Sequence, residues 1–142
     1  MKQDRLQNLF LNQLRDVYDA EKQLVKALPK MAKAAESEEL RDALNSHLEE
    51  TQEQVSRIEQ VFQLVGAAAK AKPCAAMKGL IAEGSEALQE MEKGAERDVM
   101  IIAAGQRVEH YEMAAYGTLI AIAQQLSLDS AVELLQQTDG EE

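Results

Sequence analysis

The 142-residue chain is poor in the residues that most often interrupt or brace a fold. Seven glycines and two prolines are too few for an all-β protein rich in turns. Its one cysteine, Cys74, excludes an intrachain disulfide and favours a reducing, cytoplasmic setting. Tryptophan is absent and aromatic residues make up only 4% of the chain. Aliphatic side chains, alanine and methionine must therefore fill the interior.

Targeting segments and basic charge are also missing from the sequence. Residues 1–5 form no apolar signal segment. The longest uncharged run, residues 113–128, is shorter than a bilayer span and contains two glutamines, so we expect a buried core helix there. The net charge of -10 argues against nucleic acid and against anionic membranes as partners.

What the sequence does contain is typical of helices. Hydrophobic residues make up 46% of it, and alanine, leucine, glutamate, glutamine and lysine dominate. Ser37 is a suitable N-cap, Gly66 a suitable helix stop, and Pro29 should kink or locally unwind the first helix. We predict one all-α domain over residues 1–142, a ferritin-like antiparallel four-helix bundle with a short fifth helix. Apolar spacing places the helices at about residues 4–35, 37–66, 75–93, 96–126 and 129–137.

Glu21 is the clearest charged residue on a face that should be buried. Val17 precedes it by four residues, and Leu24 and Leu28 follow it by three and seven. All four lie on one side of a helix. A buried carboxylate is costly unless it is paired, protonated or bound to a cation. Glu21 is therefore a candidate metal ligand.

Each of the other three long helices offers similar candidates. His47 follows Leu44 by three residues and Glu50 follows His47 by three, so both should face inward as a His/Glu ligand pair. In the third helix Glu83 follows an apolar position by three residues. In the fourth, one stripe joins Ile102, Glu109, Glu112, Tyr116 and Leu119, and His110 lies about 100° from it. The candidate metal ligands are Glu21, His47, Glu50, Glu83, Glu109, Glu112 and His110.

The charge of this set favours two metal ions. Five ionised glutamates would carry a charge of about -5, and like charges in a low dielectric repel by several kcal/mol per pair. Two divalent cations would nearly neutralise them. Oxygen-rich ligation with one or two imidazoles suits iron or manganese better than structural zinc. His110 remains open between a direct ligand and a residue that hydrogen-bonds a ligand or forms an interface.

Several stretches together resemble the ferritin-like, stress-associated YciF-like family of bacterial proteins. They are residues 18–24 (YDAEKQL), 47–51 (HLEET), 79–83 (GLIAE), 108–112 (VEHYE) and 115–119 (AYGTL). The resemblance covers nearly the whole chain. It implies a rubrerythrin-like bundle of five helices, a homodimer and a two-metal centre. Glu141 and Glu142 stand where relatives continue into a longer last helix, so they are either a further ligand or a frayed end.

Three functions remain open from the sequence. The first is a cytoplasmic stress-response protein whose di-iron or di-manganese centre acts on O₂ or peroxide. The second is iron sequestration, and the third is a metal-free structural or partner-binding role. No nicotinamide, flavin or phosphate motif points to an organic substrate, so enzymatic activity is left open. We expect no heteromeric partner.

Overall fold

The computed structural model describes residues 2–142, except for the side chain of Lys2. It contains five helices and, within those residues, no strand. The prediction of an all-α bundle is confirmed. Every helix boundary except the end of α3 lies within two residues of its expected position. The helices are α1 (Lys2–Ala34), α2 (Glu38–Leu64), α3 (Ala75–Glu90), α4 (Ala95–Gln125) and α5 (Asp129–Asp139).

The helix ends follow the local chemistry of the sequence with two exceptions. The Ser37 side chain accepts a hydrogen bond from the Leu40 amide at 3.3 Å and caps α2, as predicted. Gly66 follows α2 with φ +71, a conformation that favours glycine. However, α1 continues without interruption through Pro29, so the expected unwinding is wrong. The N-cap of α5 is Leu128, which has no side-chain acceptor.

The start of α4 fastens the turn between α1 and α2. The Asp98 carboxylate accepts hydrogen bonds from the amides of Glu36 at 2.8 Å and Ser37 at 2.9 Å. These backbone donors lower the pKa of Asp98. Arg97 donates to the Ala34 carbonyl at 2.7 Å. The α1–α2 hairpin is thereby held in register against α4, and that register decides which side chains meet in the interior.

Helix α1 packs against α2, α3 and α4, while α5 packs against α2 and α4. The buried apolar side chains separate into two clusters. The first apolar cluster comprises Phe10, Leu14, Val17, Tyr18, Ile58, Val61, Phe62, Tyr116, Leu119, Ile122, Ala123, Ala131 and Leu135. The second comprises Ala20, Leu24, Leu28, Ala32, Ala35, Leu44, Cys74, Met77, Ile101 and Val108. Because the N-terminal half of α1 meets the C-terminal halves of α2 and α4, α1 runs antiparallel to both.

The outward face of α4 exposes three large apolar side chains among polar ones. Val99 is 62% exposed, Ile102 46% and Met113 47%. The prediction that Ile102 faces inward is wrong, because Ile101 occupies the core and the next residue turns about 100° away. The outer side of α4 also carries exposed polar residues such as Arg107 and His110, so apolar periodicity alone does not fix its buried face. Within the described residues, no helix combines the length and apolarity needed to cross a bilayer.

Candidate metal centre

A layer of polar side chains separates the two apolar clusters, and Glu21 and Glu112 are its most deeply buried carboxylates. Glu21 is 0% exposed and Glu112 is 1% exposed. The two carboxyl groups are near enough for each to affect the pKa of the other. The Tyr116 hydroxyl donates to Glu21 Oε2 at 3.3 Å. Glu21 Oε1 and both carboxylate oxygens of Glu112 have no hydrogen-bond partner among residues 2–142, which is costly for buried polar atoms.

His47 and Glu142 complete a group of potential ligands around Glu112. One ligand atom from each of His47, Glu112 and Glu142 lies within 4.8 Å of the other two. His47 Nε2 is 4.0 Å from Glu112 Oε1, too far for a hydrogen bond. Bonds of roughly 2.0–2.2 Å to a shared cation would separate two ligand atoms by about 3–4 Å. The 4.0 Å between His47 Nε2 and Glu112 Oε1 lies at the upper end of that range. We call Glu21, His47, Glu112 and Glu142 the candidate centre.

Arg57 on α2 holds the end of the chain beside this centre. Its guanidinium donates to both carboxylate oxygens of Glu141, at 2.7 and 2.9 Å, and to the Thr138 hydroxyl at 3.1 Å. Such a bidentate pair fixes orientation as well as distance. The Gln54 amide nitrogen adds bonds to Glu141 at 3.1 Å and Glu142 at 3.2 Å, while Gln54 Oε1 has no partner in the described chain. The contacts of Arg57 and Gln54 thus place Glu142 against Glu112.

The pKa values of the carboxyls in the candidate centre are raised, which means that their ionised forms are disfavoured there. Burial, followed by the nearby Glu21 carboxyl, raises the pKa of Glu112 to about 10. Burial and the Glu112 charge raise the pKa of Glu142 to about 9. Burial also raises the pKa of Glu21 to about 7. Near neutral pH metal-free Glu112 and Glu142 therefore retain protons, and a bound cation would take their place.

These pKa shifts predict that the metal-free protein loses stability as the pH rises. A group whose folded pKa is raised holds a proton that the unfolded chain has released, so unfolding becomes easier between the two pKa values. Glu21 alone, with its pKa raised from 4.5 to about 7, should lower the free energy of unfolding by about 3 kcal/mol over that interval. Denaturant titrations in chelator between about pH 5 and pH 9 would measure the slope. A stability that rises with pH across this range would contradict the assignment.

The remaining sequence candidates lie outside this group. Glu109 is half-buried at its edge, where its charge raises the pKa of Glu112 further. Glu50 is exposed, and Glu83 is exposed with one carboxylate oxygen 3.8 Å from Arg107. His110 is exposed, with Nδ1 2.8 Å from the carbonyl of the residue four positions earlier. The structure therefore brings Glu21, His47 and Glu112 together, and leaves Glu50, Glu83 and His110 on outer faces.

Glu50 turns outward because α2 presents other residues at this level. Thr51 and Gln54 are fully buried, and Thr51 donates to the His47 carbonyl at 2.7 Å. Glu50 lies one residue before Thr51 and therefore about 100° around the helix. The i,i+3 spacing between His47 and Glu50 did not determine which of the two neighbours, Glu50 or Thr51, faces the interior. Gln54 was not a sequence candidate, because a neutral amide in an amphipathic stripe carries no signal of its own.

Comparisons with known proteins agree with the fold. The family model of a domain of unknown function, DUF892, matches residues 5–142. The protein YciF of Escherichia coli K12 is 45% identical over 143 residues, covering 100% of this chain and 86% of that protein. A protein from Xanthomonas campestris pv. campestris shares the fold, with a TM-score of 0.73 at 20% identity over 99% of this chain and 84% of that one.

Two solved structures resemble the chain more closely. The crystal structure of the E. coli stress protein YciF gives a TM-score of 0.92 at 45% identity, over 96% of this chain and 86% of that one. YcfI from Rhodopseudomonas palustris gives a TM-score of 0.92 at 45% identity, over 96% of this chain and 87% of that one. The chain therefore belongs to the DUF892 family and is a homologue of the stress protein YciF.

Proposed function

We propose that this homologue of a stress protein holds two divalent metal ions, iron or manganese, in the candidate centre and acts on O₂ or peroxide in the cytoplasm. The observation that carries the proposal is the set of buried oxygens without partners on Glu21, Gln54 and Glu112. Native interiors rarely leave such atoms unsatisfied, and a cation satisfies several at once. His47 and Glu142 supply the neighbouring ligand atoms.

The donor set supports iron or manganese. Glu21, Glu112, Glu142 and the half-buried Glu109 would together carry a charge of about -4, which two divalent ions offset. Carboxylate oxygens with one imidazole suit iron or manganese, whereas structural zinc prefers cysteine and histidine. The only cysteine, Cys74, donates its thiol to Asp16 at 3.7 Å or shares a hydrogen bond with Tyr111 at 3.1 Å, among residues that are not part of the centre.

The side chains around the centre would control protons and water. When bound, the metal pair would supply the change of oxidation state that reduces O₂ or peroxide. Tyr116 is fully buried, and its hydroxyl holds a proton directed at Glu21 Oε2. The two apolar clusters above and below the polar layer exclude bulk water from it. Glu109 is half-buried at the edge of the centre, between it and solvent.

Metal stoichiometry tests the proposal directly. Protein purified without chelator from iron- or manganese-replete cells should contain close to two metal ions per chain, measured by plasma mass spectrometry. Reconstituted protein should consume peroxide, and Glu112→Ala should lose both properties. Glu50→Ala is the matched control, because it removes an exposed glutamate from the same protein. Chains that stay metal-free after replete growth would support the structural role instead, and a cage-sized assembly would support sequestration.

We also propose that the partner is a second copy of this chain, docked through the outward face of α4. Val99, Ile102 and Met113 expose apolar surface along that face, and apolar patches of this kind mark interaction sites. Ile102→Asp should weaken dimerisation at least tenfold, because a charge would be buried at the interface. Light scattering after gel filtration measures the mass. Leu64→Asp, at another exposed leucine, should leave the dimer intact. A monomeric parent chain would refute the dimer.

A further inference from the structure

An apolar crevice opens between α1, α3 and α4, away from the outward face of α4. Its volume is about 270 Å³. Three small residues, Ala27, Gly84 and Ala104, line it where the helices meet. A Cβ atom added to Gly84 would lie 3.4 Å from the Ala104 side chain, so the helices approach closely there. Larger aliphatic side chains, including Ile81 and Leu88, form the walls. An engineered cavity of about 150 Å³ is large enough to bind benzene.

Two lysines stand at the mouth of this crevice. Lys26 and Lys30 lie one turn apart on α1, are exposed, and both line the opening. Neither forms an ion pair or a hydrogen bond with any residue that the structure describes. The exposed glutamates of α3, which are Glu83, Glu86 and Glu90, are not part of the lining. In a chain with a net charge of -10, this opening is therefore locally positive.

We propose that the crevice binds a hydrocarbon-tailed carboxylate, such as a medium-chain fatty-acid anion. The tail would replace water against the aliphatic walls, and the carboxylate would remain at the mouth beside Lys26 and Lys30. An apolar pocket with a few convergent polar groups is the usual form of a small-molecule site. A neutral or cationic amphiphile of the same length matches the walls but not the mouth, so charge provides the selectivity.

The inner end of the crevice approaches the candidate centre. Leu24 lies three residues after Glu21, and Val108 lies four residues before Glu112, so both are about one helical turn from a carboxylate of the centre. The ligand site nevertheless depends on the lining of the crevice and not on metal occupancy. It can therefore be tested on both metal-free and metal-loaded protein, and its failure would leave the metal proposal standing.

Calorimetric titration of the full chain with decanoate, decanol and decyltrimethylammonium tests this inference, with the two ionic amphiphiles below their micelle concentrations and decanol below its solubility limit. Decanoate should bind at least tenfold more tightly than either of the others, and added salt should reduce that preference. The double substitution Lys26→Gln and Lys30→Gln should abolish the preference while decanol binding is retained. The matched control, Lys70→Gln with Lys78→Gln, alters two exposed lysines outside the crevice and should change nothing.

Blocking the crevice provides a second test. Gly84→Leu should fill the space and remove decanoate and decanol binding together. If that variant fails to fold, Ser85→Phe, at an exposed residue of the lining, serves the same purpose. Absence of decanoate binding, equal binding of the three amphiphiles, or a preference that survives the lysine substitutions would each overturn the proposal.

Discussion

Replacing Glu112 by glutamine is expected to stabilise the metal-free protein and to abolish its stabilisation by metal. The Glu112 carboxyl is 1% exposed, and burial raises its pKa to about 10. At about pH 8 the metal-free fold must keep this group protonated or bury its charge, either of which costs roughly 2–5 kcal/mol. Glutamine has nearly the same shape and no charge. The melting temperature in chelator should therefore rise by roughly 5–15 °C.

The opposite sign of the two effects makes this experiment decisive. Scanning calorimetry with chelator and then with Fe²⁺ under argon, or with Mn²⁺, measures both. The parent chain should gain stability when metal binds, because metal binds the folded state preferentially. The glutamine variant should gain little. Glu50→Gln changes an exposed glutamate and should follow the parent chain under both conditions. A Glu112→Gln variant that is less stable in chelator would show that the carboxylate has an unrecognised partner.

Replacing Arg57 by methionine should loosen the end of the chain and weaken metal binding together. The substitution removes the bidentate pair with Glu141 and the bond to Thr138. Arg57 is 10% exposed and Glu141 24% exposed, so the loss of stability is expected to be about 1–3 kcal/mol once partial solvent screening is considered. Without this anchor Glu142 is held only by Gln54. Metal affinity should fall by roughly tenfold to a hundredfold.

Double substitution separates the anchoring role of Arg57 from a general loss of stability. In a chain already carrying Glu142→Gln, Arg57→Met should still lower the melting temperature but should cost little further metal affinity. Such non-additivity is expected when two residues act through the same contact. Arg41→Met is a useful control, since Arg41 donates to the Ala35 carbonyl at 2.9 Å, far from the candidate centre. Equal affinity losses in both backgrounds would argue against the anchor.

The sequence predicted those parts of the candidate centre in which a glutamate falls within an apolar stripe of its helix. Glu21 interrupts an apolar stripe of α1, and both its burial and its inward direction followed from that spacing. Glu112 belonged to the stripe predicted for α4, although that stripe wrongly included Ile102, which is exposed. Whether any of these residues is a metal ligand stays a prediction. Burial follows from periodicity, but ligation depends on distances between helices, which the spacing within one helix does not define.

The position of Glu142 is an example of a feature that sequence periodicity does not predict. It follows the end of α5, so no helical stripe predicts its direction, and its role was left open. Its position depends on Arg57 and Gln54, which are distant in sequence and lie on another helix. Glu83 shows the converse, since it follows Leu80 by the expected three residues yet remains exposed. Leu80 itself is only half-buried and lines the crevice beside α1, so a residue three positions later on the same helix need not be buried.

Cys74 gives this fold an internal probe that needs no engineering. It is the chain's single cysteine, 1% exposed, and its sulfur accepts the Met77 amide at the first turn of α3. A thiol reagent reaches it when the start of α3 or the segment before it moves away from α1 and α4, so the labelling rate measures how often that end of the bundle opens. Any ligand that fills the space between α3 and α1 will therefore slow the labelling, and the protection factor will give the energy with which it holds the two helices together.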